Sequence, residues 1–336
     1  MLLYVLDSLE DCPVKEVAVV VGHGAERVTK KLQEQGPDLL TTFVEQDVQR
    51  GTGDAVSVGL TGLADDDDID GGSDLLVLPG DTPLLRPATI ANLLATHRST
   101  GAACTVLTAQ VPDPTGYGRI VRGKEHRVVR IVEEADATPD QREICEINTS
   151  IFCFRRSVLA PALRRLTPEN EQGEYYLTDV VSVLHDAGYL VDAVIADDPL
   201  ETGGVNDRIQ LAKAEAELRR RTNREWLRKG VTMVDPSRVV IDTTVVLGTD
   251  VTLFPGVLLQ GSTVIGDRCE VGPDTRLTDC VVGDDAVVEV TVGREAEVGS
   301  GSRVGPFASL QPGSVLAAGT VAGPFYTAVS GDDAGD

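Results

Sequence analysis

Hydrophobic and polar positions change rhythm along this chain near residue 206. Before that point, short aliphatic runs alternate with amphipathic stretches. Residues 2–11 carry apolar side chains at helical spacing, residues 16–22 (EVAVVVG) read as a buried strand, 25–35 as a helix and 39–44 as a second strand. Residues 74–78 (DLLVL) form another β run, followed by a helix over 87–98 with Pro87 in its first turn. Residues 102–109 and 147–154 continue the strands. This alternation predicts an α/β domain with a largely parallel sheet. Residues 64–74 (ADDDDIDGGSD) read as a solvated acidic insertion.

Residues 208–229 are rich in Ala, Glu, Leu and Arg, and Gly230 stands where a C-cap glycine would, so this stretch reads as a long linker helix. Beyond it the apolar positions fall every six residues. Ile241, Leu247, Leu253, Leu259, Ile265, Val271 and Leu277 keep that spacing; after a break in register, Val292, Val298, Val304, Leu310 and Leu316 resume it. A period of six is the signature of a hexapeptide β-helix, in which each short strand turns one aliphatic side chain inward. With roughly 18 residues per three-sided coil, these hexads predict about four coils. Alone, such a coil fits a trimer-building scaffold as well as an acyltransferase.

Composition agrees with this reading. The chain has 336 residues, room for two domains of roughly 100–200 each. Its 34 glycines and 4% aromatics suit a coil of tight turns with few bulky core residues. A net charge of −23 argues against a nucleic-acid or anionic-membrane partner, because nothing would neutralise phosphates along a surface. The N-terminus lacks a basic segment and Asp7 interrupts its apolar stretch, unlike a signal peptide. No run approaches the roughly 18 apolar residues of a membrane span, so membrane insertion is not expected. The six scattered cysteines, with no CxxC, read as reduced structural thiols, and the expected location is cytoplasmic.

Several segments could carry chemistry. Asp81 in LPGDTPLL lies beyond the carboxyl end of an apolar strand, where open α/β sheets bind ligands. A carboxylate there suits Mg²⁺, although a turn or cap aspartate would look the same. QDVQRGTGDA (46–55) combines two amides, able to read a base edge, with glycines that permit close backbone approach; an ordinary glycine turn into a helix is the alternative. Asn206 could cap the linker helix. His23, His97, His126 and His185 show no metal or triad spacing, and Trp226 reads as a packing residue.

Taken in order, QDVQRGTGDA, GDTPLL, DPTGYGRI, IVEEADAT, EINTSIF, QGEYYLTD and GVNDRIQLA, then the helix and the coil, resemble the bifunctional bacterial N-acetylglucosamine-1-phosphate uridyltransferase / glucosamine-1-phosphate N-acetyltransferase family. The resemblance runs from about Met1 to about Phe325. It implies a Rossmann-like nucleotidyltransferase domain over 1–205 without its first strand, a linker helix over 206–230, a short left-handed parallel β-helix over 231–323 and an acidic tail over 324–336. It implies uridylyl transfer from UTP to N-acetylglucosamine 1-phosphate with Mg²⁺ as cofactor, and a homotrimer built through the β-helix. By position, Asp81 and Asn206 match the family's catalytic metal ligands. Gln46, Gly51 and Thr52 match its uridine segment, and Gly118, Glu133 and Asn148 the residues that hold the sugar. Gln49, Gly80, Tyr176 and Thr178, in the same motifs, complete the expected substrate contacts. The chemistry is consistent: the attacking phosphate monoester is already ionised near neutrality, so no general base is needed. Catalysis then rests on positioning and charge neutralisation.

Three departures stand out. The family opens with a strand and a loop of the form LAAGxGTRM, then Pro-Lys, which bind the triphosphate. This sequence begins in the helix that follows, and the segment is expected upstream of Met1. Without it, the chain as written is expected to be poorly stable and nearly inactive, since a gap in a buried sheet is costly. Gln311 and Val329 replace a family arginine and lysine, and the family's remaining coils are not reached by Asp336, so acetyltransferase activity is expected to be lost. Asp54 stands where the family usually has His. The alternative reading is a non-catalytic sugar-nucleotide-binding or assembly protein.

Overall fold

A computed structural model describes residues 1–10, 12–22, 25–36, 39–64 and 73–328. The acidic insertion beyond Ala64, His23, Val329 and the last residues of the tail lie outside the described residues. Two compact units divide the chain, Met1–Leu211 and Ala212–Asp336.

The first unit runs α1 (Leu2–Asp7), β1 (Val17–Val21), α2 (Ala25–Gln35), β2 (Thr41–Glu45), α3 (Thr52–Leu60), β3 (Asp74–Val77), α4 (Pro87–Thr100), β4 (Cys104–Gln110), β5 (Arg119–Arg122), β6 (Val128–Val132), α5 (Pro139–Arg142), β7 (Glu146–Arg155), α6 (Arg156–Leu163), α7 (Asp179–Asp186) and β8 (Val191–Ile195). The expectation of a largely parallel sheet is corrected. The main sheet has the order β6-β5-β7-β4-β8, with β3 also paired to β7. The long central strand β7 runs antiparallel to β3, β4 and β5. Among the described strands of this unit, only β4–β8 and the separate β1–β2 pair are parallel. Apolar runs report that a strand is buried, not which way its neighbours run.

Helices cover this sheet because their apolar stripes match its buried faces. Val180, Val181 and Leu184 of α7 pack with Phe152, Phe154 and Leu159 in one core cluster. Leu6, Ile90 and Leu93, from α1 and α4, pack with Val19, Leu107 and Ile151 in another. The first helix ends at Asp7, shorter than its apolar pattern. His97 is buried within α4 and bonded to Thr105 at 2.9 Å, a structural histidine. A bulge interrupts the ladder between Leu107 and Thr108, so that Leu107 faces Ile151 while Thr108 faces Asn148. Ser150, inside the bulge, has φ 61°. Bulges of this kind bend a strand and re-aim its residues.

In the second unit α8 (Arg208–Arg228) ends at Gly230, whose φ is 95°. Trp226 packs on the coil's core, and the buried Asn223 amide donates to the carbonyls of Pro236 and Val239. The coil itself has three parallel sheets of six, five and six short strands. That exceeds the expected four coils, because strands begin at Thr232–Met233 and continue to Thr327–Ala328, past the expected end at 323. The inward positions are mostly aliphatic and nearly inaccessible: Leu253, Leu259, Val271 and Leu277 are each 0% exposed.

The register break has a specific form. The step between inward residues shortens to five from Leu277 to Val282, from Val288 to Gly293 and from Gly293 to Val298. Gly293, not Val292, therefore stacks between Leu277 and Leu310. Val292 is 57% exposed, which corrects its reading as an anchor. A Cβ on Gly293 would stand 2.9 Å from Leu277 Cδ2, so the interior has no room for a larger residue there. No helix of the described residues is long and apolar enough to cross a membrane.

Candidate functional site

Three groups of expected site residues lie in the first unit. The first begins where β3 ends. Leu78-Pro79-Gly80 carries the chain out of the strand, and Thr82, buried at 2% exposure, closes the turn by donating to the Pro79 carbonyl at 3.1 Å. Gly80 lies against Leu2 of α1, at ordinary van der Waals distance. Burial raises the pKa of Asp81, offset only partly by its own backbone N–H. No other described residue donates to its carboxylate. The segment 204–206 packs alongside: Val205 N donates to the Asp81 carbonyl at 3.0 Å, and a Cβ on Gly204 would lie 3.2 Å from Asp81 Oδ2.

Asn206 is not the cap of α8. Asp207 fills that role: its carboxylate accepts from Gln210 N at 2.7 Å, while Gln210 Oε1 accepts from the backbone N–H of Asp207 and Asn206. This reciprocal pair is the capping-box arrangement. The exposed Asn206 amide is left without a hydrogen bond among the described residues. A carboxylate and an amide oxygen are the oxygen donors a hard divalent cation takes, and the backbone contact of Val205 brings the Asn206 segment to the Asp81 turn.

The second group surrounds the start of α3. Gln46, at the carboxyl end of β2, donates through Nε2 to Asp54 Oδ2 at 2.7 Å. With its amide N–H committed to this bond, Gln46 keeps its carbonyl oxygen as an acceptor. Gln49 is exposed, with its amide against Gly22. Gly51 has φ 108°, and a Cβ there would stand 2.7 Å from the Tyr175 carbonyl. Gly53 N donates to that same carbonyl at 2.8 Å, and Thr52 Oγ1 accepts from Leu177 N at 3.0 Å. The glycines thus serve close packing on the segment 174–177, a use the sequence did not separate from approach to a ligand.

The third group adjoins that segment. Glu133 Oε1 accepts from Thr178 Oγ1 at 2.9 Å. Burial raises the Glu133 pKa, and the Thr178 bond only partly offsets it. A Cβ on Gly118 would lie 3.1 Å from Glu133 Oε2 and 3.4 Å from the Asn148 Cβ, so these three residues meet with no space for a side chain between them. Asn148 N donates to the Gly118 carbonyl at 2.8 Å, and its side-chain oxygen holds Ser150 N at 3.1 Å. Tyr176 is buried, its hydroxyl pushed up to about 12 by desolvation and by Asp136 and Glu133 nearby. Residues 174–178 therefore join the second and third groups. No hydrogen bond or ion pair among the described residues ties Asp81 or Asn206 to them.

Sequence reasoning missed Asp54, Asp207 and the Arg119–Glu134 pair as supports. Each is a charged neighbour of a candidate residue, and that adjacency was the only available signal.

Comparison with known proteins places this arrangement. A profile described as nucleotidyl transferase matches residues 1–217. Bifunctional protein GlmU of Heliobacterium modesticaldum is 42% identical over 97% of this chain and 69% of its own length. The GlmU proteins of Mycobacterium marinum and Mycobacterium tuberculosis are 44% and 45% identical over 97% of the chain and 66% and 65% of theirs. The chain spans about two thirds of the length of these curated relatives. With an α/β unit bearing these motifs and a hexapeptide coil following it in sequence, the chain belongs to the nucleotidyl transferase family, among the relatives of bifunctional GlmU.

Proposed function

We propose that the first unit catalyses uridylyl transfer from UTP to N-acetylglucosamine 1-phosphate. A phosphate oxygen of the sugar phosphate bonds to the α-phosphorus of UTP, the bond from that phosphorus to the bridging oxygen breaks, and pyrophosphate leaves with UDP-N-acetylglucosamine as product. The observation that carries this reading is the convergence of Gly118, Glu133, Asn148 and Thr178 on one buried patch, joined through 174–178 to the Gln46–Thr52 segment.

In this reading Gln46, Gln49, Gly51 and Thr52 receive the nucleotide, while Glu133 and Asn148 orient the sugar, with Tyr176 and Thr178 behind them. Asp81 and Asn206 would hold Mg²⁺, which when bound would neutralise charge on the transferring phosphate. No side chain needs to accept a proton from the nucleophile, so the raised pKa values of Glu133 and Tyr176 reflect burial and not acid–base work. The coil acts as an assembly element, a homotrimer of a cytoplasmic enzyme. It carries no acetyl transfer: exposed Gln311, bonded to Ser309 Oγ at 3.0 Å, occupies the place of a cationic phosphate ligand.

The test is pyrophosphate release from UTP and N-acetylglucosamine 1-phosphate with Mg²⁺, with product identified by mass spectrometry. Sugar-dependent release is expected once the strand and Gly-rich loop expected ahead of Met1 are present, and Asp81→Ala in that extended chain should lower it by about a hundredfold or more. Release unaffected by Asp81→Ala contradicts the assignment. Tight binding of the sugar nucleotide without any release favours the non-catalytic alternative.

A further inference from the structure

Behind the patch formed by Gly118, Glu133 and Asn148 sits a guanidinium that the proposed chemistry does not use. Arg119, the first residue of β5, is 1% exposed. Its Nη1 donates to the Tyr117 carbonyl, and its Nη2 to Glu134 Oε2 at 2.6 Å and to the Arg142 carbonyl at 3.4 Å. Glu134 Oε2 also accepts from Gly116 N at 3.3 Å, and Arg142 Nε lies 3.7 Å from Glu134 Oε1. Arg119 Nε is buried without a partner.

The location follows from strand alternation. Arg119 faces Val132 across the β5–β6 ladder, and Ile120 faces Ile131. Residues 118, 120, 131 and 133 therefore share one face, while 119 and 134 share the other. Gly118 and Glu133 meet on the first face; Arg119 and Glu134 meet on the second. We propose that the Arg119–Glu134 pair is a positioning device, fixing the separation of the 113–118 and 133–138 loops and so the width of the sugar patch. The inference rests on the uridyltransferase reading.

Energetics supports a role beyond stability. Only the guanidinium is buried, with Arg119 at 1% and Glu134 at 33% side-chain exposure, and a pair screened on one side adds little net stability once the desolvation of the guanidinium is set against it. The unpartnered Nε is a further penalty, since a buried donor without an acceptor loses its hydration. What the pair does supply is geometry. A planar fork reaching two carbonyls and one carboxylate fixes distance and direction together, which an ammonium on a flexible stem does not.

The test is calorimetric titration of the full chain with UDP-N-acetylglucosamine and, separately, with UDP. The unaltered chain is expected to bind the sugar nucleotide more tightly. In Arg119→Lys and in Glu134→Gln, the UDP-N-acetylglucosamine Kd should rise about tenfold, as when a residue supporting a ligand contact is removed. The UDP Kd should stay within about twofold, and the double variant should be no worse than either single one. Equal weakening of both ligands marks a merely structural pair and overturns the inference, as does a preference unchanged in both variants. An unaltered chain with no preference for the sugar nucleotide removes the uridyltransferase reading and this inference with it.

Discussion

Both carboxylates among the candidate site residues, Asp81 and Glu133, are held above the ordinary carboxyl range chiefly by burial. For Glu133 the consequence for stability has a definite sign. Below the ordinary carboxyl range both folded and unfolded chains carry the proton. As pH rises the unfolded chain releases it first, and the folded chain only at its raised value. Stability therefore falls across that window and stays lower above it. Glu133→Gln removes the charge and still accepts from Thr178, so its melting temperature at pH 7 should exceed that of the unaltered chain. The gain should vanish near pH 3, as calorimetry at both pH values will show. A lower melting temperature for the variant at pH 7 contradicts this account. Asn206 shows how one position separates two uses: sequence left it open between cap and ligand, and Asp207 takes the cap one residue later.

At the scale of elements, the coil's register decides which side chains hold it together. Leu259 is 0% exposed, and its replacement by Ala should lower the stability of the coil by about 2–5 kcal/mol. Val292→Ser, at a residue 57% exposed, should change it by no more than about 0.5 kcal/mol. Denaturant titration of both variants checks the pair, and a large loss for Val292→Ser would mean that Val292, not Gly293, is the inward residue of its strand. The period itself was legible because one inward aliphatic per strand repeats a chemical choice at fixed spacing. The five-residue steps were not, since Gly293 fills an inward position with no side chain at all. The α/β alternation was equally legible, but not the antiparallel placement of β7, because alternating apolar runs carry no record of direction. For the candidate site, the motifs were readable as segments. That Tyr175 and Leu177 clasp Gly51, Gly53 and Thr52 depends on contacts more than 120 residues apart, as the |i−j| of 125 between Leu177 and Thr52 shows.

For the whole molecule, a net charge of −23 is unusual for a protein proposed to bind UTP and a sugar phosphate. Beyond about 8 Å that charge is largely screened at physiological ionic strength, so ligand binding depends on what lies within the site. In the proposed reading the donors on the sugar side are the Asn148 amide and backbone N–H groups, which suit a neutral sugar ring. In the same proposed reading the anionic part of the substrates is assigned to Asp81 and Asn206, where a divalent cation would offset the phosphates. The central claim is that one site in the first unit receives a sugar nucleotide while the coil does not. Amide hydrogen exchange with and without UDP-N-acetylglucosamine tests this most directly. Ligand should slow exchange together at residues 46–54, 116–119, 133–136 and 174–178, leaving the coil at 232–328 unchanged. Protection confined to the coil, or none at 116–119 and 133–136, would contradict it.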